Sequence, residues 1–333
     1  MDGGTPLTTP PTPPVPAAGS AARPGRLGVG VVGAGRVGAV LGSALRAAGH
    51  TVVGASGVSE ASRERIATLL PGVPVCEVAQ VVERAELVLL AVPDDALEPL
   101  VAGLADTGAW QPGQLVIHTS GAAGTAVLEP ARAAGAIPLA VHPAMTFTGT
   151  SLDLARLEGC TFAVTAPAAV QPIGQALVVE IGGEPVIVPE EARVLYHAAL
   201  AHGANHLVVL VAQAAQTLRE AGIAAPGRVL APLLGAALES ATRAADAAGD
   251  GGPGAITALT GPVSRGDVGT VERHTDALAG LAARTGATDI PAGYAELARG
   301  ATRRALASHR IGDRAASALL DALDRVRAER KDH

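Results

Sequence analysis

The sequence has a single lysine, Lys331, beside its C-terminal end; arginine supplies the remaining permanent positive charge. A Schiff-base lysine, or a lysine that donates a proton within a core, is therefore excluded from the body of the chain. A phosphate-loop lysine is excluded too, because no G-K-[ST] occurs. Aromatic residues make up only 2% and the net charge is −6. Nucleic-acid binding needs basic grooves and stacking platforms, so that class is set aside. Cys76 and Cys160 are too few for a disulfide framework and lack metal-ligand spacing, so they read as free thiols and no metal site is expected. No apolar run reads as long enough to cross a bilayer. The first 25 residues lack the basic start and apolar centre of a signal peptide. A cytoplasmic protein without membrane partners is the expectation.

What is present is aliphatic: 48% of 333 residues are hydrophobic, enough for two domains with sizeable cores. Residues 1–25, rich in Pro, Thr, Gly and Ala, read as a disordered extension. The next stretch organises the chain. Leu27 to Val32 is a short apolar run that predicts a buried strand, and it enters Gly33-Ala34-Gly35-Arg36-Val37-Gly38, a G-x-G-x-x-G that opens a helix. In a dinucleotide site Gly33 allows the tight turn, Gly35 lets backbone approach a pyrophosphate, and Gly38 lets helix and strand pack closely. The helix N-terminus then faces the phosphates. A second strand, Thr51–Ala55, follows. About 20 residues past the first glycine an NAD site places Asp or Glu. Here Ala55-Ser56-Gly57 stands instead, followed by Ser59, Arg63 and Arg65. Hydroxyls and a guanidinium suit a 2′-phosphate, which favours NADP(H) through Ser56, Ser59 and Arg63.

Further strands are predicted at Val73–Cys76, Glu86–Val92, Gln114–His118 and Ala136–Val141, alternating with helices. That alternation predicts an α/β fold with a doubly wound parallel sheet over residues 26–150. Ligands bind beyond the carboxyl ends of such strands. Those ends carry Val92-Pro93-Asp94, which would border the cofactor, then Ser120-Gly121, then His142. Each has a structural alternative: a helix cap for the aspartates, a plain turn for Ser120-Gly121, a satisfied histidine for His142. Residues 151–189 read as a remaining α/β part and connection, and 190–330 as a helical domain.

The long pattern from Glu190 to Ala221 is apolar nearly all round, so it should run through the middle of the second domain or of a dimer. It carries Tyr196, His197, His202, Asn205 and His206; at 100° per residue Asn205 falls between His197 and His202. Further on, Thr260-Gly261-Pro262-Val263-Ser264-Arg265-Gly266-Asp267 offers a guanidinium for an anionic substrate, or is a loop with Arg265 solvated and Asp267 as a cap.

GAGRVG, AVPDDAL, HTSG, HPAMTF, YHAALAHGANHL and LTGPVSRGD together resemble a Rossmann-like family whose C-terminal helical domain is catalogued as domain of unknown function 2520. More distantly the chain resembles ketopantoate reductases, pyrroline-carboxylate reductases and β-hydroxyacid dehydrogenases. The resemblance implies a reductase of a small carbonyl-bearing or imino acid, ketopantoate first. Asn205 matches the asparagine of the dehydrogenases' central helix, whose lysine position is Ala201 here, and Ser120-Gly121 matches their substrate-anchoring pair. His142 or His197 would replace the lysine as acid, and Arg265 would pair with a carboxylate. A homodimer through the helical domain is expected. The rival expectation is an NADP(H)-binding sensor or scaffold without turnover.

Overall fold

The structure is a computed structural model that describes residues 26–249 and 252–328. The expected disordered extension at 1–25 lies outside the described residues. The chain divides into two compact units, Met1–Leu200 and Ala201–His333.

In the first unit seven strands form one sheet: β1 (Gly28–Val32), β2 (Thr51–Ser56), β3 (Leu87–Leu90), β4 (Leu115–His118), β5 (Ile137–Pro143), β6 (Thr161–Thr165) and β7 (Glu184–Ile187). Their order is β2-β1-β3-β4-β5-β6-β7. Both faces are covered, which is why β3 and β4 read as unbroken apolar runs rather than alternating ones. On β3, Leu87 and Leu89 join one core and Val88 and Leu90 the other, the two-residue period of a strand. The helices on these faces are α1 (Arg36–Ala47), α2 (Glu60–Leu69), α3 (Val78–Arg84), α4 (Asp94–Asp106), α5 (Glu129–Ala133), α6 (Leu152–Arg156) and α7 (Gln171–Glu180), with α8 (Arg193–Leu200) closing the unit.

Two expectations change here. The sheet, which takes in the α/β part read at 151–189, is mostly rather than wholly parallel: β6 pairs antiparallel with β5, and β7 parallel with β6. The intervening α6 has five residues. Val73–Cys76 is not a strand but a single bridge, Ala55 to Val75. Pro71 and Pro74 both precede the bridged Val75, and neither can donate to a ladder.

The second unit holds α9 (His206–Glu220), α10 (Pro226–Ala247), α11 (Pro262–Arg265), α12 (Val268–Thr285), α13 (Asp289–Ala307) and α14 (Asp313–Ala328). Its core comes from α11 to α14, with Val263, Val271, Ala298, Leu319 and Leu323 buried together. No residue of α9 is buried, and on α10 only Pro226 and Leu230 are. The helical stretch Glu190–Glu220 has mean hydropathy 1.4 over its most apolar 18-residue window, and no residue of that window is buried. By length and composition alone it could cross a membrane, contrary to the sequence reading, because interspersed histidines hardly lower the average of so much Ala, Val and Leu. Nor does it run through the middle of this unit's core. Ala201–Asn205 is a π-helical turn. The uniform 100° reckoning fails across it, and His202 pairs with His206, their Nδ1 atoms 2.9 Å apart.

A Cβ at Gly38 would stand 2.3 Å from the Gly33 carbonyl oxygen and 3.0 Å from Ala91 Cβ. Gly38→Ala is therefore expected to destabilise the first unit by about 1–3 kcal/mol. An unchanged thermal midpoint would show that α1 can simply move away.

Candidate cofactor and active site

The glycine turn is built from the end of β1. Gly33 takes φ +85°, which favours glycine. Its amide donates to Ser56 Oγ at 3.2 Å, while the buried Ala34 donates to the Ser56 carbonyl at 2.8 Å. Gly35 caps α1 without a side-chain bond, and no acidic residue occupies the first turn. The amides of Arg36, Val37 and Gly38 donate to no acceptor among the described residues. A Cβ at Gly35 would meet nothing nearer than 4.0 Å. These free donors beside open space fit a dinucleotide pyrophosphate. Val92 packs beneath the turn, its Cγ1 3.0 Å from the Cβ that Gly33 lacks. Pro93 caps α4, and Asp94 begins it, exposed.

At the end of β2 the side chains divide. Ser56 is turned inward as the acceptor for Gly33. Ser59 caps α2, taking the Ser62 amide at 3.1 Å and meeting Ser62 Oγ at 2.9 Å. Arg63 is exposed and makes no side-chain hydrogen bond among the described residues. Arg65, set beside Arg63 in the sequence reading, comes instead to Gly149: a Cβ there would stand 2.8 Å from Arg65 Nε and 2.7 Å from Arg36 Cγ. Asp153, wholly buried, holds that backbone by accepting from the amides of Thr148 at 2.8 Å and Gly149 at 2.7 Å. Two arginines thus flank one anchored loop.

At the carboxyl ends of β4 and β5 the polar groups converge. His142 Nδ1 lies 3.0 Å from the Tyr196 hydroxyl, and its ring stands edge-on to that of His197 at 6.0 Å. Gly121 fits between them: a Cβ would lie 2.7 Å from His197 Cδ2 and 2.9 Å from His142 Nε2. Ser120 is buried, its Oγ accepting from the Ala123 amide at 3.1 Å. The loop is braced below by His118, whose Nδ1 accepts from the Ser120 amide at 3.2 Å and whose Nε2 meets the Gly124 carbonyl at 2.8 Å. Glu190 braces it from outside, accepting from the amides of Thr125 at 2.7 Å and Ala126 at 3.1 Å.

The sequence reading named His142, His197, Ser120 and Gly121, and the fold assembles them. It missed Glu190 and Arg193, and left Tyr196 and His118, the latter set at the strand-end edge with Ser120-Gly121, without a role. Arg193, Tyr196 and His197 follow i, i+3, i+4 spacing, one helix face, which was the available signal. Arg193 is 1% exposed; Nε donates to Thr165 Oγ1 at 2.7 Å, and Nη2 to the carbonyls of Ala140 at 2.8 Å and Ala163 at 3.2 Å. Nη1 reaches the Ser120 carbonyl at 3.4 Å. Burial, with the Arg193 and His197 charges, pushes His142 down to about 4; burial and Arg193 push His118 to about 4 as well. Near neutral pH His142 is uncharged, a ring that can still donate a hydrogen bond.

Asn205 and Arg265 belong to the second unit. Asn205 is exposed and its amide makes no hydrogen bond among the described residues, so water satisfies it, and the argument that it must have a partner falls away. Arg265 is exposed in α11, and Asp267 caps α12 by accepting the Thr270 amide at 3.0 Å. A cavity of about 860 Å³ lies among α9, α10, α12 and α13, with His274 and Tyr294 3.0 Å apart on its otherwise mostly aliphatic wall. Among the described residues no group of three or more His, Cys, Asp or Glu could hold a metal.

Residues 13–143 match the Rossmann-like domain family, and 160–301 match domain of unknown function 2520. The chain is a Rossmann-like protein with a C-terminal domain of unknown function 2520. No curated protein matches the sequence significantly. Among solved structures, this Rossmann-like protein is similar to one from Bacteroides fragilis named for NADP oxidoreductase activity, at 22% identity, covering 83% of this chain and 98% of that one with a TM-score of 0.64. An imine reductase from Myxococcus stipitatus in complex with NADP+ shares 19% identity over 89% of this chain and 99% of its own, TM-score 0.56. A reductive aminase from Aspergillus terreus shares 17% over 92% and 95%, TM-score 0.53. These likenesses establish the shared fold.

Both low-lying histidines make stability pH-dependent. An unfolded histidine binds its proton near 6.5, so between 6.5 and about 4 the unfolded chain takes up protons that folded His118 and His142 refuse. Stability must therefore fall as pH falls through that window. For wholly buried His118 the loss approaches about 3 kcal/mol below pH 4. Thermal midpoints measured from pH 7 to 4 should fall less steeply in His118→Gln than in the parent; parallel curves would show that His118 is charged in the fold.

Proposed function

We propose that the protein is an NADP(H)-dependent reductase of a small anionic substrate with a reducible carbonyl or imine carbon, acting in the cytoplasm. The observation that carries this is the sharing of one sheet edge. The open N-terminus of α1, the carboxylate-free end of β2 with its arginines, and the His142–Tyr196–His197 cluster all stand at the carboxyl ends of β1 to β5. The reduced nicotinamide, when bound, supplies hydride. Arg36, Arg63 and Arg65 would hold the 2′-phosphate and the free amides of α1 the pyrophosphate. The braced loop at Ser120-Gly121 borders the reacting carbon, and His142 donates a hydrogen bond to the oxygen or nitrogen on which negative charge develops. Ketopantoate heads the substrate panel; the imine reductase and reductive aminase likenesses support adding pyrroline carboxylate and other cyclic imines.

The missing core lysine favours a second reading, an NADP(H) sensor or scaffold. Single-turnover reduction across the panel separates the two. His142→Ala is expected to slow hydride transfer by roughly 10²–10³-fold and to leave NADPH affinity unchanged. A variant with full rate would take the histidine out of the chemistry. In cofactor titration NADPH should bind about ten-fold or more tightly than NADH, with most of that preference lost in Arg63→Ala or Arg65→Ala. Equal affinities would sink the NADP(H) assignment.

We also infer that a second copy of the chain covers the apolar helices. Leu195 is 76% exposed, Val208 69% and Leu233 62%, and the groove among α9, α10, α12 and α13 opens on the same unit as the latter two. Exposed aliphatic side chains on α9 and α10 favour burial against a partner, and a stable interface takes roughly 800 Å² from each side. Sedimentation should give a dimer, converted to monomer by Val209→Glu with Leu233→Glu. A monomeric parent chain would overturn this.

A further inference from the structure

The buried guanidinium of Arg193 has no salt-bridge partner among the described residues; Glu190 acts on it only at longer range. Its three nitrogens all donate to protein oxygens, and with 1% exposure it cannot anchor a ligand. What it does instead is fix two strands and a loop around one histidine. It joins the carbonyls of Ala140 and Ala163 across β5 and β6, the Ser120 carbonyl at the crevice loop, and Thr165, whose hydroxyl in turn donates to the Val188 carbonyl just ahead of α8. One turn along the same helix Tyr196 meets His142 Nδ1, and Nε2 of that ring lies 2.9 Å from where a Cβ on Gly121 would stand.

The geometry points to Arg193 and Tyr196 as positioning residues that hold His142 as a neutral imidazole, Nδ1 accepting from the Tyr196 hydroxyl and Nε2–H presented to the crevice beside Gly121. A neutral imidazole in this role is a fixed hydrogen-bond donor toward developing negative charge, not a group that titrates during turnover. Every charge facing the ring bears on its state. Arg193 and His197 on α8, and His118 on β4, oppose a second proton; Asp94 on α4 favours one. Burial keeps the Tyr196 hydroxyl protonated well above neutral pH, which leaves it able to donate. The tautomer follows: a ring nitrogen that accepts from tyrosine places its proton on the other nitrogen. This inference uses the reductase reading only for its consequence in catalysis; the state of the ring is a property of the free protein.

Histidine-labelled full-length protein, read by long-range proton–nitrogen correlation spectra, tests it directly, with His142 assigned by the signal lost in His142→Gln. The expected parent spectrum shows the Nε2–H tautomer with a midpoint below pH 5. Arg193→Gln should raise that midpoint by about one pH unit or more, since a nearby positive charge is lost, while Arg193→Lys should keep it low. Tyr196→Phe should leave a mixture of tautomers. A parent His142 that titrates near 6.5, an Nδ1–H tautomer, or an unchanged tautomer in Tyr196→Phe would each overturn the inference. The parent and Tyr196→Phe spectra decide the matter even where Arg193→Gln fails to fold. Absence of turnover on the whole substrate panel with the expected spectra would fail the reductase reading and leave this one standing; turnover with an ordinary titration would do the reverse.

Discussion

One buried cation holds the candidate site together. Arg193 is sealed from water at the carboxyl end of the sheet with carbonyl and hydroxyl oxygens as its hydrogen-bond partners. Burying a charge in that way costs several kcal/mol unless geometry is good and the donors are satisfied. Here all three nitrogens bond to protein oxygens. The same bonds decide where α8 begins, how β6 lies on β5, and where the Ser120-Gly121 loop stands. The charge that the sheet encloses then acts on His118 and His142, so the packing solution and the protonation of the crevice have one cause.

Much of the first unit was legible in the residues because its signals are local. G-x-G-x-x-G between an apolar strand and a helix needs only its own glycines to announce itself, and the structure gives each the place that the motif assigns. The reversal at β6 was not legible, since the direction of a strand depends on the length and path of what precedes it. Arg193 was missed because arginines on long helices usually face water, and only the assembled sheet shows the oxygens that receive it. Ser56 was read by residue type as a phosphate ligand, yet a hydroxyl beside an orphan backbone amide turns to that amide first.

In the second unit the sequence identified the right helix for a partly wrong reason. An all-round apolar pattern ordinarily means burial within the fold. Here α11 to α14 make the core by themselves, and α9 contributes nothing to it. The π-helical turn at Ala201–Asn205 shifts the phase of the residues that follow, so faces assigned by uniform rotation do not survive it. Asn205 and Arg265, named for their chemistry, are exposed to water within the chain, and their exposure weakens the argument from buried polarity that singled out the asparagine.

The registers of β4 and β5 differ in length. His118, the last residue of β4, pairs with Ala140, while β5 runs on through Val141, His142 and Pro143 with only β6 alongside. The overhang spans about 10 Å at the usual rise of a strand. The loop that follows the shorter strand turns into that notch: a Cβ at Gly121 would stand 2.9 Å from His142 Nε2, so the step between the two strand ends is closed only because a glycine stands where the loop meets the longer strand.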